Sequence, residues 1–586
     1  MAPSRRRSWW GWGFEDQAID LAQRQALASG LGSLFGVPGS RAADIQVREP
    51  PALGSIDLPA PRVSMPPSLI PIASTDLYHR ASHTHGKSFV DVVRAFHGDF
   101  SRPPDLVVFP RDECEVSAVL DWCGDHGVAV VPFGGGSSVV GGVSCEVDDG
   151  FPAVVSLDLS RLDGVVEIDG TSRSACIGAG AFGPDIEDAL RPHGYTLRHF
   201  PQSFEHSTLG GWIATRAGGH FATNYTHIDD FVESLRVIAP AGVVETRRLP
   251  GSGAGPSPDR LFLGSEGTLG VITQAWMRLQ DRPRFTTSAV AHFAGFAQGV
   301  VAARGMAQSG LFPSNCRLLD AGEAATAAGV ADNTTLLVVG FESADHPVDA
   351  WMERAVEICR DAGGRVPEGV KHSSTQGFAG TWRTSFMAAP YWRDALISAG
   401  CIAETFETAV TWDRFDALHA AVTGEVRRTL ERVCGGGRVT CRFTHVYPDG
   451  PAPYFTVIAP SSHGSQIAQW KEIKAAASEA ILANGGTITH HHAVGRDHRP
   501  WYDRQRPDLF AGVMASAKAL LDPAGILNPG VLFDPISSSP PFDTSGGQCC
   551  APPCIGEGDP PSTPSEPPLQ SFASPLSDPL RKGGSL

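Results

Sequence analysis

The sequence lacks the segments that would indicate a membrane-spanning, zinc-binding or nucleic-acid-binding protein. No apolar run approaches the roughly 18 residues of a membrane-spanning helix. The 12 cysteines form no C-x-x-C pair and no zinc-like spacing with histidine, so we expect reduced, mostly buried thiols in a cytosol-like compartment. Basic residues are outnumbered, with 47 Lys and Arg against 63 Asp and Glu. The net charge of −16 provides no basic footprint for nucleic acid.

The N-terminus also lacks the apolar core of a secretory signal. Arg5 to Arg7 give it a basic start, but polar and aromatic residues follow, so we do not expect secretion. Trp9, Trp10 and Trp12 come next, and two interpretations stay open. Tryptophan beside arginine favours a membrane surface. Packing of the tryptophans on the body of the protein is the interpretation we favour, because the segment is short and shows no amphipathic helix.

The remaining composition indicates a soluble protein of several domains. Its 586 residues exceed the roughly 250–300 that one core normally supports. Hydrophobic residues make up 42% and charged residues 19%, as in soluble globular proteins. Residues 14–45 have a helical pattern, and residues 46–75 are rich in proline. Residues 537–586 are mostly Ser, Pro, Gly and Asp and cannot bury enough apolar surface to fold, which predicts a disordered tail.

A glycine-rich loop follows a predicted helix at 113–126, which ends at Gly127, and a predicted strand at 128–131. It reads Pro132, Phe133, Gly134, Gly135, Gly136, Ser137, Ser138. The glycines remove side chains that would keep a ligand from the backbone amides, and consecutive amides form a nest for anions. We predict phosphate or pyrophosphate binding, with a glycine-rich surface turn as the alternative. The dinucleotide fingerprint and the P-loop both fail, because Val139 replaces a glycine and no lysine follows Gly141.

Two further segments are rich in glycine and hydroxyl side chains, and each lies beside an apolar element. The first contains Gln202, Ser203, Phe204, Glu205, His206, Ser207 and Thr208, and continues with Thr215, Arg216, Ala217 and Gly218. The second contains Glu266, Gly267, Thr268, Leu269, Gly270, Val271 and Ile272. A large cofactor that is wrapped by several loops requires such a set of segments.

Taken together and in this order, the three segments resemble the FAD-binding domain of the vanillyl-alcohol oxidase (PCMH-type) family. The resemblance covers about residues 100–282 and implies an α+β fold. It also implies that the first segment holds the pyrophosphate of FAD while the other two line the flavin and ribityl chain. Some members attach FAD covalently through a histidine in the glycine loop. Positions 132–142 contain no histidine, so we expect non-covalent FAD.

A second α/β region begins near residue 283 and contains three adjacent histidines. We predict strands at 334–341, 439–446 and 454–459, and helices at 348–363, 415–434 and 466–483. His490, His491 and His492 follow the last of these helices. In a strand His490 and His492 would share a face, whereas in a loop all three could converge. Proton handling and a structural role stay open, and metal binding is least favoured because no carboxylate partner is evident nearby.

The triple histidine before Val494 and Gly495 narrows the resemblance to the alkyldihydroxyacetonephosphate synthases, over about residues 80–535. The triple histidine is needed for activity in that family. Tyr454 matches the proposed proton donor and acceptor, Arg393 the arginine that binds substrate phosphate, and Arg317 another arginine required for activity. Apart from the resemblance, Tyr454 reads as an ordinary strand aromatic and the two arginines as surface cations.

Two positions depart from the family pattern. Thr405 stands where serine is usual, and we group it with Tyr454 and the histidines as catalytic. Ala493 replaces the glycine that usually follows the triple histidine. The loop must therefore avoid a positive φ at this residue or carry about 1 kcal/mol or more of strain. Either change could mean a different substrate.

The resemblance implies exchange of the acyl group of acyl-dihydroxyacetone phosphate for a fatty alcohol, a step in ether lipid synthesis without net redox change. The alternative is an FAD-dependent 2-hydroxy acid dehydrogenase or oxidase of the same superfamily. The expected partner is a lipid-like small molecule, with no nucleic acid and no metal. We expect a cytoplasmic protein, and leave open a peripheral membrane contact and a homodimer.

The predicted organisation has five parts. A helical and irregular arm occupies residues 1–99, and a PCMH-type FAD-binding domain occupies residues 100–282. A cap domain for the substrate follows over residues 283–500. Residues 501–536 form a helical segment that returns to the FAD-binding domain, and the disordered tail covers residues 537–586.

Overall fold

The computed structural model describes residues 5–35, 46–221, 223, 226–328, 333–372 and 377–533. The predicted tail at 537–586 and parts of the predicted arm lie outside these residues. The helical pattern at 14–45 corresponds to helix α1 (Leu21–Phe35), and α2 (Leu77–Ser82) and α3 (Phe89–Phe96) follow. Ser88 and Asp91 form a reciprocal capping box at the start of α3, which fixes where this helix begins.

The glycine loop follows the edge strand of a four-stranded sheet. Its strands are β1 (Ala73–Ser74), β2 (Leu106–Val108), β3 (Ala129–Phe133) and β4 (Val154–Asp158), in the order β1-β2-β4-β3. Strands β2, β4 and β3 are parallel, and helix α4 (Glu113–His126) connects β2 to β3. Helix α4 has the predicted bounds because Asp112 caps its first turn and Gly127 ends it in the left-handed conformation. Near the C-terminus, Leu527 pairs with Val130 of β3.

A five-stranded antiparallel sheet carries the other two predicted cofactor segments. Its strands are β5 (Val165–Asp169), β6 (Ser174–Gly178), β8 (Val232–Ala239), β9 (Gly242–Glu245) and β10 (Val271–Arg278), in the order β5-β6-β10-β8-β9. The short strands β7 (Tyr195–Thr196) and β11 (Gln280–Asp281) pair separately. Helices α5 (Gly183–Leu190), α6 (Leu209–Thr215) and α7 (Asp259–Phe262) connect the strands. The core of this region includes Ile177, Trp212 and Met277.

The second half of the chain is built on a six-stranded antiparallel sheet. Its strands are β12 (Phe285–Phe293), β13 (Asn315–Leu319), β14 (Thr335–Ser343), β15 (Ile402–Glu407), β16 (Arg438–Val446) and β17 (Pro451–Ala459), in the order β12-β14-β13-β16-β17-β15. The helices are α8 (Phe296–Gln308), α9 (Ala321–Ala328), α10 (Asp349–Asp361), α11 (Gly377–Ser398), α12 (Trp412–Cys434), α13 (Gln466–Ala483), α14 (Arg499–Gln505) and α15 (Asp508–Leu521). The predicted bounds of α13 are confirmed, whereas α12 begins at Trp412 rather than at Phe415.

The two faces of the six-stranded sheet differ in chemistry because side chains alternate along a strand. One face is apolar and packs into the core with Cys316, Leu318, Phe443 and Phe455. The pairing of Tyr454 with Arg442 and with Glu407 places these three side chains together on the opposite face. Thr405, two residues before Glu407, shares this face, and so does Arg317, because Leu319 pairs with Arg442. The polar face supplies the candidate site.

The N-terminal tryptophans pack on the body of the protein, as the favoured interpretation predicts. Trp9 and Trp12 are buried, and Trp10 packs against Phe96 at a ring separation of 5.3 Å. Among the described residues, the structure contains no helix with the length and apolar character needed to span a membrane.

Candidate active site

The three predicted cofactor segments meet in the structure. Pro132 and Phe133 end β3, and Gly134 to Ser138 form the loop that follows. The second segment begins with a turn and a short 3-10 helix at Gln202 to His206. It continues through Ser207 and Thr208 into α6, whose last residue is Thr215, and ends at Gly218. Glu266 to Gly270 precede β10, which begins with Val271 and Ile272. The N–H of Glu266 donates to the carbonyl of Ala214 at 2.8 Å, which joins the second and third segments.

Glycine is required where the first two segments touch. A Cβ at Gly135 would overlap the backbone carbonyl of His206, and one at Gly134 would overlap the hydroxyl of Thr208. A side chain at Gly135 would therefore collide with the backbone of the second segment. The sequence had indicated only that it would enter the space of the pyrophosphate. Gly136 has a φ of 67°, which glycine adopts without strain. This close-packed, side-chain-free turn fits the pyrophosphate of a dinucleotide.

Glu407 holds the three histidines in a loop rather than a strand. Its carboxylate is buried and accepts the backbone N–H groups of His490, His491 and His492 at 2.6, 3.1 and 2.9 Å. It also accepts the hydroxyl of Thr489 at 2.6 Å. Burial alone would raise the pKa of Glu407, but His492, His490 and these hydrogen bonds lower it to about 2. The expectation that no carboxylate lies near the histidines is wrong.

Glu266 anchors the other end of the histidine loop. Its two carboxylate oxygens accept the N–H groups of Val494 and Gly495, both at 2.9 Å. Burial raises the pKa of Glu266 to about 7, against the opposing effect of these two bonds. The side chain that we predicted to bind the cofactor thus contacts the histidine loop. Gly218 lies against the same loop, since a Cβ there would be 3.0 Å from Cβ of His491.

Ala493 has a φ of 72°, in the left-handed region that favours glycine. The sequence left two possibilities, that this residue avoids a positive φ or that its backbone is strained. The structure has the strained backbone, which costs about 1–2 kcal/mol for a residue with a Cβ. Ala493 lies between the residues held by Glu407 and those held by Glu266. The two anchors on either side impose the strained conformation.

A cavity of about 520 Å³, here called the cap cavity, brings most of the predicted catalytic residues together. Its polar wall includes Tyr454, His492, Thr405 and Arg393. An ion pair between Arg442 and Glu323, with a 2.9 Å N–O distance, forms part of the same wall. Its apolar wall is formed by Trp12, Ala388, Ala389, Pro390, Trp392, Leu396, Ala403, Val457 and Ile458. Val139 and Gln202 connect the cavity to the cofactor segments.

Tyr454 lies at the centre of the polar wall. Its ring is stacked on His491 at 6.1 Å and meets His492 edge-on at 5.4 Å. The guanidinium carbon of Arg442 is 3.9 Å from the ring centroid. Burial raises the pKa of Tyr454, although the Arg442 charge and a hydrogen bond with Thr405 oppose this effect. The phenol is therefore protonated at neutral pH and can donate a proton.

The histidines beside Tyr454 are neutral at pH 7. Burial lowers the pKa of His492 to about 4, despite the nearby Glu407 carboxylate. Burial and the neighbouring imidazoles lower the pKa of His490 and of His491 well below the usual value. A neutral imidazole can accept a proton, so the site pairs a protonated phenol with neutral bases.

The predicted arginines differ in their access to the cap cavity. Arg393 is part of its wall, where its guanidinium donates to Asp394 and to the carbonyl of Lys87 at 2.9 Å. Arg317 lies on the same sheet face but is buried, and it donates to the carbonyl of His220 at 2.9 Å. It does not belong to the wall of the cap cavity. Burial and the nearby Arg442 lower the pKa of Arg317 to about 9. The structure thus places only Arg393 where a ligand in the cavity would touch it.

His490 points away from the cap cavity into a second group of polar rings. Its Nε2 is 2.6 Å from the hydroxyl of Tyr447 and 3.2 Å from Nε2 of His227. Its Nδ1 is 3.0 Å from Nδ1 of His491, which connects the two groups. His445, His490 and His491 place one nitrogen each within 4.8 Å of one another. This spacing could hold a metal ion, although His445 is already engaged with the carbonyl of Gly219 at 2.8 Å.

Comparison with known proteins identifies the family. An FAD binding domain model matches residues 104–247, and a model of the C-terminal domain of FAD linked oxidases matches residues 282–532. The alkyldihydroxyacetonephosphate synthase of Trypanosoma brucei brucei is 30% identical over 496 residues, which cover 80% of this chain and 79% of that protein. The chain belongs to the alkyldihydroxyacetonephosphate synthase family. It is an FAD-dependent enzyme with the α+β fold predicted from the sequence.

Solved structures agree with this assignment. An alkyldihydroxyacetonephosphate synthase structure superposes with a TM-score of 0.73 at 26% identity, covering 89% of this chain and 98% of that one. p-Cresol methylhydroxylase has a TM-score of 0.60 at 15% identity, covering 79% of this chain and 94% of that one, and shares the fold alone.

A sequence relative outside the synthases is the glycolate oxidase subunit GlcD of Bacillus subtilis. It is 26% identical, and the match covers 73% of this chain and 89% of that protein.

For this member of the synthase family, sequence reasoning missed several residues of the site. Glu407, Arg442 and Glu323 were not predicted, nor were Tyr447 and His445. Arg442 and Glu407 carry no local signal, because only the pairing of the strands places each of them opposite Tyr454. Tyr447 and His445 carry none, since only the fold brings them to His490.

Proposed function

We propose that this enzyme exchanges the acyl group of acyl-dihydroxyacetone phosphate for a fatty alcohol. The observation that carries the proposal is the composition of the cap cavity. It combines Arg393, which suits a phosphate, with Tyr454 and His492, which suit proton transfer, and with an apolar wall, which suits an alkyl chain. The chain's relatives include three proteins named alkyldihydroxyacetonephosphate synthase, from a trypanosome, Dictyostelium discoideum and Caenorhabditis elegans.

Arg393 is assigned to the substrate phosphate. Its guanidinium has five N–H groups, of which one is donated to Lys87 and two to Asp394. These bonds fix the plane of the guanidinium and leave N–H groups on both terminal nitrogens for a bidentate contact. Arginine is well suited to such a contact with phosphate.

The proton beside the substrate ketone is assigned to Tyr454 and the histidines. His492, neutral and in the cavity wall, accepts that proton, and Tyr454 returns one to the same carbon. Transfer of the proton from the His492 imidazolium to the Tyr454 phenolate then restores both groups. Thr405 holds the phenol through a hydrogen bond. The three cofactor segments would hold FAD without a covalent bond, and the flavin supplies a ring able to exchange an electron pair with the substrate carbon. Acid precipitation should then release all flavin into the supernatant; flavin that stays with the pellet would contradict non-covalent binding.

A 2-hydroxy acid dehydrogenase or oxidase is the second candidate, favoured by the likeness to the glycolate oxidase subunit and by the oxidase family model. In that case Arg393 would bind a carboxylate. The test incubates the purified protein with acyl-dihydroxyacetone phosphate and labelled hexadecanol, in parallel with dye reduction by a panel of 2-hydroxy acids. Label in alkyl-dihydroxyacetone phosphate without dye reduction is expected. Dye reduction without label would replace the first proposal by the second.

We also propose peripheral contact with a lipid surface through α15. Leu509, Val513 and Leu520 lie on one side of this helix and are 83%, 63% and 73% exposed. Such a contact would bring the enzyme to a membrane-resident substrate. Sedimentation with phosphatidylcholine vesicles should pull down the wild type more than the triple serine variant at these positions. Equal sedimentation of the two proteins would exclude α15 as the lipid-binding surface. If the wild type is a dimer in size-exclusion chromatography and the variant a monomer, the surface is instead a homodimer interface.

A further inference from the structure

The N-terminal residues 5–17, here called the strap, form a turn with its own hydrogen bonds. Arg7 and Phe14 form an antiparallel bridge. The N–H of Ser8 donates to the carbonyl of Gly13 at 2.9 Å, and the N–H of Gly11 donates to the Ser8 hydroxyl at 2.9 Å. The strap therefore has a defined shape rather than an arbitrary path.

The strap is fastened to three separate parts of the body. The hydroxyl of Tyr78 donates to the carbonyl of Arg7 at 3.0 Å, and Nζ of Lys87 donates to the carbonyl of Ser8 at 3.1 Å. The N–H of Trp12 donates to Asp394 at 2.6 Å. Asp394 also holds Arg393, so the strap is connected to the residue that we assign to the substrate phosphate.

The strap closes a cavity of about 210 Å³ over the glycine loop. Gly134 to Ser137 form one wall, and Arg7, Ser8, Trp12 and Gly13 of the strap form another. Lys87 also faces this cavity. The carboxylate in the wall, Asp158, is paired with His83 at 2.9 Å, so two cations face the loop against one paired acid.

Both cations are positioned by the fold. The Arg7 guanidinium carbon is 4.2 Å from the ring centroid of Phe182, and its Nη1 donates to the carbonyl of His206 at 3.5 Å. Burial lowers the pKa of Lys87 to about 8, despite the opposing charge of Asp394. A buried ammonium with few anionic neighbours is stabilised in its charged form when an anion binds beside it.

We propose that Arg7 of the strap, together with Lys87, binds the phosphates of FAD against the glycine loop. The loop supplies backbone amides, and these two side chains supply the charge that the loop sequence lacks. The strap would then be a structural part of the cofactor site. This inference depends on FAD binding and not on the reaction, so it can fail while the acyl exchange stands, and the reverse.

The test is fluorescence titration of the apoprotein with FAD at low and high salt. Arg7→Gln and Lys87→Met should each weaken binding about 10- to 100-fold at low salt, the scale of one charge-assisted hydrogen bond. The loss should shrink at high salt, since screening weakens the wild-type contact. Arg5→Gln is the matched control, because Arg5 is on the same strap but pairs with Asp16 at the surface. Its affinity should equal that of the wild type.

Arg7→Lys keeps the positive charge, so it separates an affinity loss caused by the missing charge from one caused by a folding defect. It should recover part of the affinity, and the apoprotein melting temperatures of the Arg5 and Arg7 variants should agree with that of the wild type. If Arg7→Gln binds FAD as tightly as Arg5→Gln, the proposal is wrong. It is also wrong if the affinity loss is the same at both salt concentrations and Arg7→Lys recovers none of it.

Discussion

The glycine loop and the histidine loop are both short turns at the candidate site, but they are held in place in opposite ways. The glycine loop is defined by missing side chains, because a Cβ at Gly135 would overlap the carbonyl of His206. The histidine loop is held by two added carboxylates, Glu407 on one side and Glu266 on the other. The conformation of the glycine loop therefore depends on the backbone of the neighbouring segment. That of the histidine loop depends on side chains from distant parts of the sequence.

The largest expected effect is at the glycine loop. Gly135→Val should abolish FAD binding, because the new side chain cannot share space with the His206 carbonyl and must separate the two segments. The control is Gly150→Val, at an exposed turn where an added Cβ meets nothing within 4 Å. Both variants are purified and their flavin absorbance is compared. A Gly135→Val protein with full flavin content would show that the two segments can move apart.

The next effect should appear at Tyr454, beside the histidine loop. Tyr454→Phe removes one hydroxyl, so FAD should stay bound while turnover in the exchange assay falls by about 10²-fold or more, the scale of general acid–base loss. Tyr195→Phe removes a hydroxyl from a half-buried tyrosine outside the wall of the cap cavity and should have no effect. Unchanged exchange in Tyr454→Phe would remove this residue as the proton donor.

Glu407→Gln tests the charged anchor of the histidine loop. The amide keeps the size of the side chain but loses the charge and one acceptor, so at least one of three backbone N–H groups loses its partner. We expect a loss of about 2 kcal/mol in the free energy of unfolding and a fall in turnover of about tenfold or more. Glu479→Gln, at a surface ion pair with Arg504, is the control. Denaturant unfolding and the exchange assay measure the two effects.

The two anchors should respond to pH in opposite directions. The pKa of Glu407 is lowered to about 2, so its stabilisation is present above the unfolded value near 4.5 and is lost as pH falls towards 2. The pKa of Glu266 is raised to about 7, so its contribution is present below 4.5 and is lost as pH rises through 7.

Relative to the wild type, Glu266→Gln should therefore gain about 2 kcal/mol of stability as the pH rises from about 5.5 to about 8. Denaturant unfolding at both pH values measures the difference. An equal difference at both pH values would mean that Glu266 is ionised throughout this range.

The smallest expected effect is the relief of strain between the anchors. Ala493→Gly places glycine where φ is 72° and should raise the free energy of unfolding by about 1 kcal/mol. Ala483→Gly, at the last residue of α13, is the control and should lower stability, because its helical backbone gives glycine no relief of strain. A loss of stability in Ala493→Gly would show that the loop gains more from alanine's smaller unfolded-state entropy than it loses in strain.

The same comparison shows what could be read from the sequence. The glycine loop, its strand and helix α4 were predicted because their signals lie within a few adjacent residues, such as Asp112 and Gly127 at the ends of the helix. For the histidine loop the sequence predicted no carboxylate nearby, which is wrong. Glu407 lies 83 residues before His490, and Glu266 lies 228 residues before Val494, so neither carboxylate belongs to a local pattern. Such contacts depend on tertiary structure, which no local pattern reports.

The histidine loop also constrains how a long-chain substrate reaches the cap cavity. The loop bonds to Glu266, next to the five-stranded sheet, and to Glu407 of the six-stranded sheet. Pulling the two sheets apart would strip donors from at least one buried carboxylate, at about 1–3 kcal/mol for each group left unpaired. Entry of a substrate without this cost would leave the two sheets where they are. Alkyl chains would then enter and leave lengthwise past Ala388, Ala389 and Pro390 of α11, where Ala389 is exposed.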